Sequence, residues 1–312
     1  METPTKKSIY AIIGPTASGK TEIGVALALR LGNAEIINCD SFQIYEEIQI
    51  ATAKPSTEEM RGVKHHLIDY VAPEINYTAA DWAQDAAQKI EEIESCGKVP
   101  ILVGGTGFYL RALRQPFFES PKTDENLRAK LNKLKEKKGA EHLHKLLRRI
   151  DSLSAEKLFP RDYVRSIRAL EVYFQTGTRL SELQPNRSEP PEFADRIEIF
   201  ALNPPRDVLY EKINARAEKH FADGLIDEVK LLRDKGLRDE TNALGAHGYR
   251  RVCEFLRGER TLNSAIEQSK QDVRNYAKRQ MSWFRHKEQV IWLDGFGGDV
   301  ETQENLFRLA GA

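Results

Sequence analysis

The feature that most constrains this chain is the segment GPTASGKT, which runs from Gly14 to Thr21. It has the spacing Gly-x-x-x-x-Gly-Lys-Ser/Thr of a phosphate-binding loop. The largely apolar run Ile9–Ile13 precedes it and predicts a strand buried on both faces of a parallel sheet. The segment EIGVALALRLG follows it and has the pattern of a helix. Strand, loop and helix therefore occur in the order that such a loop requires.

The residue types of this loop suit the binding of an anion. Glycine at positions 14 and 19 lets the backbone turn so that consecutive N–H groups point towards one phosphate oxygen. The N-terminus of the following helix adds partial positive charge. Lys20 supplies a cation, and the Thr21 hydroxyl can ligate Mg²⁺. We expect a di- or triphosphate to bind the residues of the loop, which are Gly14, Pro15, Thr16, Ala17, Ser18, Gly19, Lys20 and Thr21.

Two further apolar runs, Ala34–Asp40 and Val99–Val103, predict buried strands of the same sheet. Ligands of open α/β sheets bind beyond the carboxyl ends of the strands. We therefore expect Asp40, one strand over from the loop, to face the cavity that the loop faces. From the residues alone, its carboxylate could accept a proton, cap the next turn or help to hold Mg²⁺. The glycine-rich turn Gly104–Gly107 predicts a close approach of the backbone to a ligand.

The pattern of alternating strands and helices changes beyond Pro116. From Asp124 to about Thr176 the chain has the pattern of consecutive helices, and strands return at Asp195–Leu202 and Val290–Leu293. We predict an α/β protein in three segments. Residues 1–120 form the first part of a parallel-sheet core, 121–192 an all-helical insertion domain, and 193–312 the second part of the core with C-terminal helices and a final strand.

Charge is distributed unevenly along a chain whose formal net charge is zero. From Pro121 to Arg187 there are 16 lysines and arginines against 9 aspartates and glutamates, and the remainder carries 31 against 38. This basic block suggests a polyanionic partner, although a solvated, lysine-rich helical surface explains the charge equally well. The three cysteines lack the paired spacing of a disulfide framework or zinc site. No apolar run reaches about 18 residues, so we expect a cytoplasmic protein without a membrane partner.

Seven segments of the chain, in their order, resemble the tRNA dimethylallyltransferases, which are also called tRNA isopentenyltransferases. The resemblance runs from about Ile9 to Leu293. The phosphate loop is common to many enzymes. The Asp-Ser-x-Gln-x-Tyr block leading to Thr-Ala-Lys-Pro and the late Lys-Arg-Gln-x-x-Trp-Phe-Arg are specific to this family. The seven segments are GPTASGKT, INCDSFQIYEEIQIATAKP, HHLID, VGGTGFYLRAL, SIRALEVY, HGYRRV and AKRQMSWFR.

The resemblance implies a prenyltransferase with a P-loop NTPase core, similar to that of nucleoside kinases, and a helical insertion that grips the anticodon stem-loop of tRNA. Its donor would be dimethylallyl diphosphate, and its acceptor the exocyclic N6 of adenosine 37, beside the anticodon. Diphosphate would leave, and Mg²⁺ is the usual ion. We expect the protein to act as a monomer.

The resemblance also implies roles for particular residues. Asp40 would be the general base, and Lys20 and Thr21 would serve the departing diphosphate. Arg216 would bind the diphosphate and substrate, although an exposed helix arginine would show the same pattern. The expected tRNA contacts of the core are Asp40, Ser41, Phe42, Gln43 and Thr106. Those of the insertion are Arg128, Val164, Arg165, Ser166, Ile167 and Arg168.

Three other functions fit parts of the sequence. A small-molecule kinase would bind ATP in the same loop. A tRNA-binding protein that has lost catalysis would retain the basic block, and a prenyltransferase acting on free adenine nucleotides would retain the loop and Asp40. The chain also departs from the usual family pattern at Phe42, at Ala51, where glycine is common, and at His247, where isoleucine is common. These positions bear on substrate preference.

Overall fold

A computed structural model of the chain describes residues 8–118, 121–185 and 188–312. The first seven residues and Arg187, which ends the predicted basic block, lie outside these ranges. In the part of the chain that is described, no helix is both long and apolar enough to cross a membrane.

The described residues form a six-stranded parallel sheet with the spatial order β3-β2-β4-β1-β5-β6. Alternate residues of the central strand contribute to two different cores, with Ile9 and Ile13 in one and Ile12 in the other. Both faces of the sheet are therefore buried, as in α/β proteins with helices on each face. The strands are β1 (Ile9–Ile13), β2 (Ala34–Asn38), β3 (His65–His66), β4 (Val99–Gly104), β5 (Ile197–Asn203) and β6 (Ile291–Asp294).

The helices follow the sequence signals closely. Thr78 caps the third helix with a capping box, in which its hydroxyl accepts the Asp81 N–H and the Asp81 carboxylate accepts the Thr78 N–H. Short 3₁₀ turns occur at Ala194–Arg196 and Ala243–Gly245. The helices are α1 (Lys20–Leu31), α2 (Thr57–Met60), α3 (Ala79–Ser95), α4 (Gly107–Arg114), α5 (Glu125–Lys138), α6 (Ala140–Ile150), α7 (Ser152–Glu156), α8 (Tyr163–Thr176), α9 (Leu180–Leu183), α10 (Arg206–Ala222), α11 (Leu225–Asp234), α12 (His247–Leu256), α13 (Leu262–Lys287) and α14 (Val300–Ala310).

The chain divides into two compact units. The core unit contains the sheet and combines the residues up to Arg114 with Pro191–Ala312. The second unit is Gln115–Pro190 and contains α5 to α9, with its own apolar core around Leu131, Leu147 and Leu170. It begins six residues before the insertion domain predicted at 121–192 and ends two residues before it.

A buried carboxylate joins two helices of the second unit. Glu171 on α8 is fully buried, and Arg128 on α5 donates from Nε and Nη2 to its two oxygens at 2.5 and 2.8 Å. Arg168 lies 3.6 Å from the same carboxylate and also donates to the carbonyl oxygen of Pro121 at 2.7 Å. These contacts compensate the desolvation of Glu171 and raise the pKa of Arg128.

We expect Arg128→Ala to lower the free energy of unfolding of the second unit by on the order of 3 kcal/mol, because it leaves a buried carboxylate without its bidentate partner. Hydrogen exchange in α5 and α8 and denaturant unfolding of the full chain measure this loss. Arg179→Ala is the matched control, since Arg179 forms an exposed pair with Glu182 at 3.7 Å, and it should change stability by less than about 1 kcal/mol. Equal effects of the two substitutions would contradict the prediction.

Candidate active site

The phosphate loop joins β1 to α1 and is supported from behind. Gly19 precedes the helix with φ of 85°, a left-handed conformation that glycine adopts without strain. A Cβ at Gly19 would lie 2.9 Å from the backbone nitrogen of Gly297, and the Gly297 N–H donates to the carbonyl oxygen of Ser18 at 2.8 Å. The turn after β6 therefore holds the loop in shape before an anion binds.

Lys20 is enclosed by the loop and donates from Nζ to the carbonyl oxygen of Pro15 at 2.8 Å. Burial lowers the pKa of Lys20 to about 8, the negative charge of Asp40 opposes this shift, and the positive charge of Arg216 adds to it. Burial disfavours the ammonium form because it removes water from the charge. An anion in the loop would replace that lost solvation.

Asp40 follows β2, but β2 is not next to β1. The expectation that Asp40 lies one strand over from the phosphate loop is wrong, since β4 runs between the two strands. Asp40 nevertheless lines the same cleft as Lys20 and Thr21, a cavity of about 360 Å³. The structure thus brings the phosphate loop and this carboxylate to one cavity.

The Asp40 carboxylate is held in one orientation by its own turn. Its Oδ1 accepts the N–H groups of Phe42 at 2.9 Å and Gln43 at 3.4 Å, so the capping role that the residues left open does occur. Among the described residues, no hydrogen bond reaches Oδ2. One oxygen therefore fixes the group, and the other remains for chemistry in the cleft.

The segment after Asp40 contacts two loops that lie far away in sequence. The Ser41 N–H donates to Thr106 Oγ1 at 3.1 Å, which places Thr106 beside this segment. The Gln43 side chain donates to the carbonyl oxygens of Thr52 at 3.2 Å and Ala53 at 2.8 Å. The predicted acceptor residues are therefore clustered, and the amide of Gln43 orders the Thr-Ala-Lys-Pro loop.

Arg216 comes from α10, almost 200 residues after the phosphate loop. It lines the cleft and donates from Nη2 to Thr16 Oγ1. Burial lowers its pKa, and Asp40 opposes the shift. Arg216 is therefore not the exposed helix arginine that the sequence pattern also allowed, and it adds a second cation beside Lys20.

A recess that is more apolar than the cleft adjoins it, and Thr16, Asp40, Thr52 and Arg216 line both. Burial lowers the pKa values of two histidines in the recess to about 4, so both are neutral near pH 7. Asp40 thus lies where a polar cleft meets an apolar recess. Such a site suits a molecule with one anionic and one apolar end. Phe42, Phe221, Ala246, His220, His247 and Tyr276 line the recess.

Two residues of α13 belong to the site although no role was predicted for them. Tyr276 lines the recess, and burial raises the pKa of its phenol. Gln280 lines the cleft and accepts the Thr16 N–H at 2.9 Å. Gln280 belongs to the family-specific Lys-Arg-Gln motif, and this motif is the sequence feature that could have identified it. Its contacts depend on the long-range packing of α13 and are visible only in the structure.

The predicted contact residues of the second unit fall into two groups. Val164 and Arg165 are exposed at the start of α8, and Arg165 pairs with Asp162 at 2.6 Å. Ser166 and Ile167 are buried in the unit itself. Arg128 and Arg168 contact Glu171 as described above. Of the predicted contact residues in the second unit, Val164 and Arg165 therefore have the exposed side chains.

The residues present fit Mg²⁺ bound together with a phosphorylated ligand. Thr21 lines the cleft with Lys20 and Asp40. Mg²⁺ usually keeps several waters and takes few protein ligands when phosphate oxygens complete its shell. In the described ranges, no cluster of three or more His, Cys, Asp or Glu residues forms a metal site by itself. The Thr21 hydroxyl and a bound diphosphate would supply the oxygens.

A parallel sheet with a Gly-x-x-x-x-Gly-Lys-Thr loop after its central strand defines an α/β protein of the P-loop class, as predicted. Residues 43–287 match a family model described as IPP transferase. The chain belongs to the IPP transferase family, and the resemblance seen in its motifs is confirmed.

Relatives match over nearly the full length of the chain. The tRNA dimethylallyltransferase of Geobacter metallireducens is 43% identical and that of Koribacter versatilis 42%, each over 94% of both proteins. The tRNA isopentenylpyrophosphate transferase of Bacillus halodurans has a similar structure, with a TM-score of 0.70 and 38% identity over 98% of this chain and 95% of that one. A eukaryotic dimethylallyltransferase acting on tRNA gives a TM-score of 0.79 at 25% identity, over 98% and 79%.

The lowered pKa of Lys20 predicts how diphosphate binding depends on pH. We expect the affinity for diphosphate to fall as pH rises through about 8, because the free loop then loses its ammonium. Binding near pH 8 should take up a proton, since the anion raises the pKa of Lys20. Calorimetry in buffers of different ionisation enthalpy measures both effects. Lys20→Met should bind at least about tenfold more weakly at pH 7 and take up fewer protons.

The lowered pKa of Lys20 also determines the direction in which folding stability changes with pH. The unfolded chain binds the Lys20 proton more tightly than the folded chain, so the contribution of Lys20 to stability should rise between about pH 8 and pH 10.5.

Diphosphate affinity that stays constant across pH 8, with no proton uptake, would contradict the predicted role of Lys20 in diphosphate binding.

Proposed function

We propose that this protein transfers a dimethylallyl group from dimethylallyl diphosphate to N6 of adenosine 37 in tRNA and releases diphosphate. The observation that carries the proposal is the shared cavity. The phosphate loop and Asp40 line one cleft, and an apolar recess opens where Asp40 lies. The names of the relatives at 42–43% identity support the same donor and acceptor.

The donor half of the reaction breaks a C–O bond at an allylic carbon, and negative charge develops on the departing diphosphate. The backbone N–H groups of the loop and the side chains of Lys20 and Arg216 are arranged for that charge before the substrate arrives. Thr21 would hold Mg²⁺, which supplies further neutralisation of the diphosphate when bound. The apolar recess would enclose the five-carbon group and exclude water from it.

The acceptor half forms an N–C bond at N6 of the adenine and removes one N6 proton. The base must leave the stack of the anticodon loop to reach a carbon inside the cleft. Asp40, fixed through Oδ1, would accept the proton on Oδ2. Ser41 and Thr106, joined by their hydrogen bond, would contact the same adenosine.

We further propose that the second unit binds the anticodon stem-loop, because the segment Pro121–Arg187 carries an excess of seven positive charges. Since tRNA is the acceptor, we propose a cytoplasmic enzyme, and we propose that it acts as a monomer.

Incubation with tRNA and dimethylallyl diphosphate, followed by mass analysis of the nucleosides, tests the reaction. Transfer of label from the γ-phosphate of ATP would instead indicate a kinase, and prenylation of free adenine nucleotides alone would exclude tRNA as the acceptor.

Asp40→Asn tests the general base without removing the cap. The Asn oxygen can still accept the N–H groups of Phe42 and Gln43, but the amide cannot take up a proton. We expect kcat to fall by at least about 100-fold, with tRNA affinity roughly kept. Glu59→Gln is the control, since Glu59 is another carboxylate that lines the cleft and accepts the Ser56 N–H. An unchanged yield of prenylated nucleoside from Asp40→Asn would exclude Asp40 as the base.

Arg165→Ala tests the tRNA contact of the second unit. We expect weaker tRNA binding and a slope of log Kd against log salt that is smaller by about 1, because one phosphate contact is lost. Arg179→Ala is the matched control, since both arginines are exposed and pair with an acid three residues away. Equal tRNA affinity of Arg165→Ala and the unaltered protein at every salt concentration would rule out this role.

A further inference from the structure

One side chain of α13 connects the phosphate loop to the turn after β4. Gln280 is 5% exposed. Its Oε1 accepts the N–H of Thr16 at 2.9 Å, and its Nε2 donates to the carbonyl oxygen of Gly105 at 2.8 Å. The two bonds require one acceptor and one donor on the same planar group, which glutamine supplies in this geometry. Glutamate would lack the donor.

The turn after β4 leaves no room for side chains at Gly105 and Gly107. A Cβ on Gly105 would lie 2.2 Å from Nε2 of Gln280, and a Cβ on Gly107 would lie 2.3 Å from Cδ1 of Trp283. The side chains at 280 and 283 are three residues apart and so lie on one face of α13. Helix α13 therefore contacts the turn at two successive points, and the carboxamide of Gln280 fills one of them.

Each end of this connection leads to a different half of the site. On one side, Thr16 belongs to the phosphate loop, and its hydroxyl oxygen accepts a hydrogen bond from Arg216. On the other side, Gly105 precedes Thr106, whose Oγ1 accepts the N–H of Ser41 next to Asp40. Because β4 separates β1 from β2, the loop and Asp40 share no strand pairing. Gln280 bridges that gap through the turn of the intervening strand.

We propose that Gln280 is a positioning residue that sets the diphosphate cradle relative to Asp40, and so aligns donor with acceptor. This inference rests on the proposed function. It requires that loss of Gln280 affect the reaction of the two bound substrates more than the binding of either one. A misplacement of about 1 Å between reacting groups is enough to reduce turnover by about 100-fold.

The test compares Gln280→Met, which keeps the length of the side chain and removes both hydrogen bonds, with the unaltered protein. We expect kcat to fall about 10- to 100-fold, with Kd for diphosphate and for tRNA each changed less than about threefold. Gln280→Glu should lower kcat similarly and also weaken diphosphate binding, because it adds negative charge near the cradle. Gln271→Met is the control on the same helix, since the Gln271 side chain is exposed and bonds Asn275 within α13.

Gly105→Ala probes the other end of the same bond, because its Cβ would displace Nε2 of Gln280. The loss in Gly105→Ala combined with Gln280→Met should be smaller than the product of the two single losses, since both remove one connection. Three outcomes would overturn the inference. The losses in the double variant could be fully multiplicative, or Gln280→Met could turn over as fast as the unaltered protein. The loss in Gln280→Met could also be explained by weaker diphosphate binding or by unfolded protein.

The outcome also separates this inference from the proposed function. If the unaltered protein forms no prenylated nucleoside, the proposed function fails and the inference fails with it. If the unaltered protein is active and Gln280→Met is equally active, only the inference fails. The binding measurements use diphosphate and tRNA, so they do not depend on prenyl transfer.

Discussion

A cradle made of backbone N–H groups works only if the backbone that presents them is held in place. The shape of this phosphate loop comes from contacts with the rest of the core unit, and one of them uses the N–H of Thr16. The turn after β6 bonds Ser18, Gln280 bonds Thr16, and Arg216 contacts the Thr16 hydroxyl. These contacts come from residues 200 to 279 positions further along the chain. The site therefore exists only after the core unit has folded, and its electrostatic preorganisation is a product of tertiary packing.

The strand order places a second constraint on the site. Since β4 lies between β1 and β2, its terminal turn must fit between the phosphate loop and the Asp40 segment. A Cβ on Gly104 would lie 2.0 Å from the carbonyl oxygen of Cys39, and one on Gly105 would meet Gln280. Each glycine is required by a different neighbour, one directly after β2 and one from α13. The Gly-Gly-Thr-Gly turn is thus a spacer of minimal thickness, which lets an acid two strands away reach the same cleft.

Local signals predicted most of the strands and the phosphate loop, because an apolar run or a glycine spacing lies in consecutive residues. Membership of the P-loop class followed from those signals. The order of the strands did not, since β4 pairs with β1 through contacts between residues 91 positions apart, and Asp40 was therefore placed one strand too close. Arg128 shows the same limit. Its charge is visible in the sequence, but its partner Glu171 is 43 residues away and buried. Gln280 belongs to a recognisable motif, yet its two bonds depend on where α13 packs.

The position of Asp40 links the two halves of the site to the chemistry of the donor. Dimethylallyl diphosphate has a strongly anionic end and an apolar end, and the bond that breaks lies between them. In the cleft, the cations Lys20 and Arg216 face the anionic side, while the recess beyond Asp40 is lined by aromatic rings and neutral imidazoles. A nucleophile that approaches the carbon at this junction therefore also approaches the carboxylate.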